Sequence, residues 1–125
     1  MIQFPHDADM ERAALGVAMS PLTPRCSRRI VLGLPPAAFY SGHRRTLFHI
    51  IRTLGAGGVP DPLLVRSHLL DTKAHRRTHS ELVESIGAGI EGAAAAYAAR
   101  LITLMKRRLR IHELGQELRE LQEIE

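Results

Sequence analysis

Three of the seven histidines are spaced as metal ligands often are. His75 and His79 stand four residues apart, and His68 precedes His75 by seven residues. Zinc sites that use histidine usually add cysteine or carboxylate ligands, but this chain has a single cysteine. Arg76 and Arg77, beside these histidines, would also repel a cation. We therefore expect no metal site and no cofactor.

The sequence also lacks the residues that nucleophilic catalysis and nucleotide hydrolysis usually require. Cys26 is the only thiol, and no histidine with an orienting group pairs with it in the sequence. The glycine-rich stretch 55–58 lacks the lysine of a phosphate-binding loop and follows a predicted helix rather than a strand. No segment reads Gly-x-x-x-x-Gly-Lys-Ser/Thr. The sequence therefore predicts no catalytic residues.

The remaining candidates for a functional site are clusters of basic residues, because such clusters can bind the phosphates of nucleic acid. The chain has a formal charge of +4 and an isoelectric point near 10. A cluster lies at Arg25, Arg28 and Arg29. The candidate nucleic-acid contacts are in further clusters: Arg44, Arg45, Arg76, Arg77, Arg107 and Arg108. A solvated charged face is the alternative interpretation, so we treat DNA as a possible but secondary partner.

Composition predicts one small helical domain. The 125 residues are 45% hydrophobic and only 4% aromatic, so the core must consist mainly of aliphatic side chains. Alanine and leucine favour helices, and no alternating strand pattern occurs. There is no signal segment at the N-terminus and no apolar run of about 20 residues. With a single cysteine, these features predict a soluble cytoplasmic protein that does not enter a membrane.

The predicted fold is all-α, a compact bundle of short helices followed by a long C-terminal helix. Helix-capping signals precede the five short helices at Asp7, Thr23-Pro24, Ser41, Asp61-Pro62 and Ser80. Residues 71–78 are predicted to form a polar basic loop. Gly16, in the middle of the first helix, indicates that a neighbouring helix approaches closely. Phe39, Tyr40 and Phe48 are expected in the core.

The long helix is expected to begin near Gly92, which divides one domain into a head (1–90) and a helix for packing and oligomerisation (91–125). Its first half is basic and its second half acidic, so two copies packed antiparallel about residue 111 would match opposite charges. The alternative is a solvated face on a helix that packs against its own head. The predicted self-association residues recur at three, four and seven positions: Tyr97, Leu101, Leu104, Ile111, Leu114 and Leu118.

Four landmarks resemble the N-terminal domain of bacterial replicative DNA helicases of the DnaB type. The opening Pro5–Gly16 reads Pro-His-Asp, an acid-rich turn and Leu-Gly within the first helix. The other landmarks are Phe39-Tyr40 with Phe48, then Gly58-Val59-Pro60-Asp61 with Val65 and Leu69, then Ala94–Ala98 leading into Lys106–Leu109. They stand in the family's order over about residues 5–112. Arg44 departs from the pattern, because the family usually has histidine there.

The resemblance implies a function in DNA replication without a motor in this chain. Family heads of this kind pair, form the collar of the helicase ring and receive the primase. We therefore expect a homodimer or higher homo-oligomer that also binds a primase or helicase loader. The family usually continues into a second long helix that folds back, and we expect that helix to be absent or supplied differently. The alternatives are a small basic DNA-binding protein and a free-standing helicase adaptor or inhibitor.

Overall fold

The computed structural model describes residues 4–124 and contains no strand within them. The helices are α1 (Ala8–Met19), α2 (Arg25–Leu32), α3 (Gly42–Gly55), α4 (Pro62–Asp71), α5 (Arg76–Ser85) and α6 (Ala94–Ile124), with 3-10 turns at Pro36–Ala38 and Glu91–Ala93. The predicted all-α fold with a long last helix is confirmed. Across the described residues, no helix combines the length and apolar character that spanning a membrane requires.

Side-chain caps fix where two of the helices begin. The carboxylate of Asp7 accepts a hydrogen bond from the Met10 amide at 3.0 Å, and that of Asp61 accepts one from the Leu63 amide at 2.7 Å. Both caps are as predicted, and each satisfies an amide that lacks a partner in the first helical turn. Ser41 also precedes a helix as predicted, but its side chain makes no capping hydrogen bond.

Helix α5 begins earlier than the sequence suggested. We predicted a loop over 71–78 and a helix start at Ser80, but the helix already begins at Arg76. The ring nitrogen Nδ1 of His75 accepts a hydrogen bond from the Arg77 amide at 3.0 Å, so histidine takes the role of the N-cap. Thr78 and Leu82, four residues apart, are both buried and give this helix an inward face that the polar composition concealed.

Helix α1 runs through the core and packs closely against its neighbours. Gly16 lies beside the end of α5, where an added Cβ would collide with the carbonyl oxygen of Ser85. The close approach predicted from this glycine is therefore confirmed. Phe39 and Phe48 are buried with their ring centroids 4.6 Å apart, as expected of core aromatics, whereas Tyr40 lies at the surface.

The first part of α6 is a structural part of the head. It packs against α1 and α2 through buried side chains, which are Ala94, Ala98, Leu101 and Leu104. The last anchoring contact along α6 is Arg108, which donates hydrogen bonds to the backbone carbonyls of Pro5 and Ala37. The packed part of the chain therefore extends well beyond residue 90, where we expected the head to end.

Candidate functional site

The second half of α6 extends out of the head with an apolar face that no described residue covers. Four large side chains recur there at spacings of three and four residues and form what we call the ridge: Ile111, Leu114, Leu118 and Leu121. They are between 38% and 62% exposed. In an α-helix this spacing places all four on one face, the arrangement that packs helices in coiled coils. The ridge is therefore an unpaired helix-packing surface.

The structure divides the predicted self-association residues into two groups. Leu101 and Leu104 lie in the core of their own chain, and the hydroxyl of half-buried Tyr97 accepts a hydrogen bond from the Ile90 amide at 3.0 Å. These three residues hold α6 on the head, so the expectation that they face another chain does not fit their contacts. Ile111 and Leu114 lie on the exposed ridge, as does Leu118. Sequence periodicity missed this division because the seven-residue interval from Leu104 to Ile111 still fits the helical repeat, although Arg107 and Arg108 interrupt the apolar stripe there.

Charges flank the ridge in two blocks of opposite sign. Lys106 and Arg107 are exposed, and no described carboxylate lies within 4 Å of either. Arg110 contacts Glu113 at 3.3 Å and Glu117 at 3.8 Å within the same helix, and all three side chains are about 60% exposed. Such exposed pairs contribute about 0–1 kcal/mol each and exchange partners readily. The charges can therefore orient a second helix without having to break a strong internal contact.

A buried ion cluster lies within the head, between α1, α3 and α5. The Nε of Arg44 donates to the carboxylate of Glu11 at 2.8 Å, and its Nη1 donates to Glu81 at 3.2 Å. The amide of Tyr40 also donates to Glu11 Oε1 at 3.0 Å, while Glu11 Oε2 has no partner. Arg44 is only 6% exposed. The guanidinium of Arg44 is thus paired with two carboxylates inside the fold, and its role as a nucleic-acid contact stays a prediction.

Arg12 extends this cluster to the surface. Its guanidinium donates to both oxygens of Glu81, at 2.9 and 3.0 Å, and contacts Glu84 at 3.1 Å. The hydrogen bond from Arg12 lowers the pKa of Glu81, and the nearby Arg44 charge adds to that effect against the opposing effect of burial. The same hydrogen bond raises the pKa of Arg12. The cluster thus ties α1, α3 and α5 together.

Arg108 is likewise engaged within the chain. Its guanidinium donates to the carbonyl oxygens of Pro5 at 2.9 Å and Ala37 at 2.7 Å, and it lies 5.4 Å from the ring centroid of Tyr40. That ring also stacks with His6, with the ring centroids 4.4 Å apart. Burial lowers the pKa of Arg108. Two of its donors are thus bound to backbone carbonyls, and its role as a nucleic-acid contact stays a prediction.

The remaining predicted nucleic-acid contacts lie on three helices. Arg45 on α3, Arg76 and Arg77 on α5, and Arg107 on α6 are all exposed. Arg77 lines a cleft of about 440 Å³ whose other charged residues include Glu81 and Glu84, which would repel a phosphate backbone.

The histidines and the cysteine that we considered as metal ligands or nucleophiles do not form a reactive cluster in the described part of the chain. The rings of His43 and His75 lie 5.2 Å apart, and His43 Nδ1 is 3.0 Å from the hydroxyl of Thr78. Within residues 4–124, no three potential ligands come together in a way that could hold a metal ion. Cys26 is exposed at the start of α2.

The head and its projecting helix define a class of protein, namely small helical domains that present one long helix outside a closed core. The family model described as the DnaB-like helicase N-terminal domain matches residues 3–103, and the chain belongs to this family. The match ends before the ridge, so the ridge lies outside the matched segment. The comparisons with curated proteins and with solved structures returned no match.

Proposed function

We propose that this chain is an assembly and docking module of a replicative DNA helicase and that two copies pair through the ridge. The observation that carries the proposal is the unpaired apolar face of α6, exposed over Ile111–Leu121 and flanked by blocks of opposite charge. Family membership supports it, because it makes the chain a helicase N-terminal module. In this role the chain itself contributes binding rather than catalysis.

We derive a register for the proposed pair from the residues of α6 that the head leaves exposed. Because Leu101 and Leu104 are buried in the head of their own chain, the exposed ridge is centred near residue 116 rather than residue 111. An antiparallel pair about that centre places Ile111 of one chain opposite Leu121 of the other and Leu114 opposite Leu118. The same register brings Arg107, which stands in line with the ridge, close to the acidic end of the second copy. Opposite charges thus meet at both ends of the overlap.

Sedimentation of ridge variants tests the pairing. At tens of micromolar we expect the natural chain to sediment as a dimer or larger, and Leu114→Asp combined with Leu118→Asp to sediment as a monomer. A charged side chain in a packed helix interface is left without a partner and costs several kcal/mol. Val83→Asp is the control, because Val83 is an exposed apolar residue on α5, outside the ridge. If the natural chain sediments as a monomer, or if only the control variant loses pairing, two copies do not pair through the ridge.

The docking part of the proposal is placed on the head. Helices α3 and α4 form a shallow groove of about 220 Å³ lined by Ile50 and Leu54, and α4 exposes Leu63, Leu64 and Leu70 nearby in sequence. An amphipathic helix of a primase or helicase loader could pack on such a surface. Mixing the chain with each purified partner and measuring complex formation by calorimetry tests this. Leu64→Asp should weaken the complex at least tenfold, and the Leu114 and Leu118 variants should not.

A further inference from the structure

A basic groove of about 660 Å³ lies between α2 and the loop that joins α3 to α4. Its first wall is one face of α2, where Arg25, Arg28 and Arg29 stand at three- and four-residue spacing. Arg52 of α3 and the loop Gly55–Val59 complete the lining. No acidic residue is among the residues that line it. None of its residues belongs to the ridge, so the groove is independent of the proposed pairing.

The positive charge of this groove is not neutralised by the rest of the chain. Across the described residues, no carboxylate lies within 4 Å of any of the four guanidinium groups. Arg28 is buried and donates only to neutral carbonyl oxygens, those of Ala18, Ser20 and Thr23 at 2.8–3.2 Å. It therefore adds fixed charge at the base of the groove. Arg25 and Arg29 are exposed, with their donors open to a ligand.

Arg28 stabilises the connection between α1 and α2 through its carbonyl contacts, but the side chains of Arg25 and Arg29 donate no hydrogen bond to any described residue. Two like charges four residues apart destabilise a helix, and a cation in the first turn opposes the helix dipole. Helix α2 has both features and starts at Pro24 without a side-chain cap. On the opposite wall, the amides of Gly58 and Val59 donate to no described backbone acceptor. An anion in the groove would relieve the repulsion and would have backbone donors available to it.

We propose that this groove binds phosphate groups, carried either by a free nucleotide or by a single strand of nucleic acid. Four positive charges around one small opening match an anion that concentrates several charges in a small volume, as linked phosphates do. Guanidinium groups bind phosphate oxygens through two parallel hydrogen bonds. A volume of about 660 Å³ also falls in the usual range of small-molecule sites. Acidic peptides carry one charge per residue on separate side chains and match this density less well.

Binding measurements on the full chain test the proposal. The probes are pyrophosphate, ADP without metal and a twelve-nucleotide thymidine strand, each measured by calorimetry or fluorescence anisotropy at low salt. Arg25→Ala combined with Arg29→Ala should weaken binding at least tenfold, because two charge-assisted contacts are lost. Arg66→Ala combined with Arg100→Ala is the control, since it removes the same charge from exposed positions on α4 and α6. We expect its affinities to stay within about twofold to threefold of the natural chain.

The comparison of probes separates the two phosphate sources. If a nucleic-acid strand is the ligand, the thymidine strand binds tightest, pyrophosphate displaces it, and the salt slope falls by about 0.7 for each phosphate contact removed. If a free nucleotide is the ligand, ADP and pyrophosphate bind tighter than the strand. Absence of phosphate binding at millimolar probe, or equal losses in both double variants, would overturn the proposal. So would a ten-residue glutamate peptide that binds the groove as tightly as pyrophosphate.

Discussion

Arg44 is a residue whose sequence context suggests a surface contact, whereas the structure places it in a buried ion pair. In the sequence it stands beside Arg45 in a basic cluster, which suggested contact with phosphate. In α3 it falls on the same face as Leu47, Phe48 and Ile51, at spacings of three, four and seven residues, and that face is buried. Glu11 holds the equivalent position within the apolar stripe of α1. A charged residue inside an apolar stripe was the available signal for a buried pair.

Removal of Arg44 should destabilise the chain strongly, whereas removal of its neighbour should not. Arg44→Ala leaves the carboxylate of Glu11 buried without its cation, which typically costs about 3–5 kcal/mol. Arg45→Ala truncates an exposed side chain on the same helix and should change the free energy of unfolding by about 0.5 kcal/mol or less. Urea unfolding followed by circular dichroism measures both. Similar losses in the two variants would mean that the buried pair contributes little.

Two glycines in helices should respond oppositely to alanine. At Gly16 the new Cβ meets backbone atoms of Ser85 and Ala88 that cannot move aside easily, so we expect a loss of about 1–3 kcal/mol. At Gly115 nothing lies within 4 Å, and alanine favours a helix by about 1 kcal/mol. Thermal unfolding should therefore show a lower midpoint for Gly16→Ala, and helical ellipticity should rise for Gly115→Ala. A stabilised Gly16→Ala variant would contradict the observed contact.

At the scale of the elements, the sequence predicts the helices well but not which of their faces are covered. Caps at Asp7 and Asp61 are local signals, because they involve residues two or three positions away. The burial of Leu104 and the exposure of Leu114 depend instead on where the head ends, and periodicity carries no information about that. The early start of α5 was missed because His75 is not among the usual capping residues.

Helix α6 should pair in one direction because of its charges. In the proposed register Arg107 faces the acidic end of the second copy twice, so Arg107→Glu should weaken the dimer about threefold to tenfold at low salt. Lys106→Glu is the control, because it makes the same charge change one residue away and off the ridge, and it should leave the affinity nearly unchanged. Sedimentation equilibrium of the three proteins measures this. A parallel pair would bring identical positions together, and the three proteins would then pair with nearly equal affinity.

In the molecule as a whole, the polar contacts that hold the helices together lie apart from the two candidate binding surfaces. The ion cluster joins α1 to α3 and α5, and Arg108 joins α6 to the N-terminal segment and to the turn at Ala37. The ridge and the basic groove take no part in these contacts. Substitutions of the exposed residues on those two surfaces, such as Arg25, Arg29, Leu114 and Leu118, should therefore alter binding while the helical head remains folded, which makes them suitable for the experiments proposed above.

Acid should unfold the head in part by protonating Glu81. Its pKa lies below the ordinary value of 4.5 in the folded chain, mainly because Arg12 donates to it. A lowered folded-state pKa contributes stability above the unfolded-state pKa, and that contribution is lost as the pH falls through the folded-state pKa. We therefore expect Glu81→Gln to lower the free energy of unfolding at pH 7 and to flatten its decline between about pH 5 and pH 3. Glu84→Gln, which removes a more exposed partner of Arg12, should keep nearly the natural slope in urea titrations at each pH. Equal slopes for the natural chain and Glu81→Gln would place the acid sensitivity in other carboxylates.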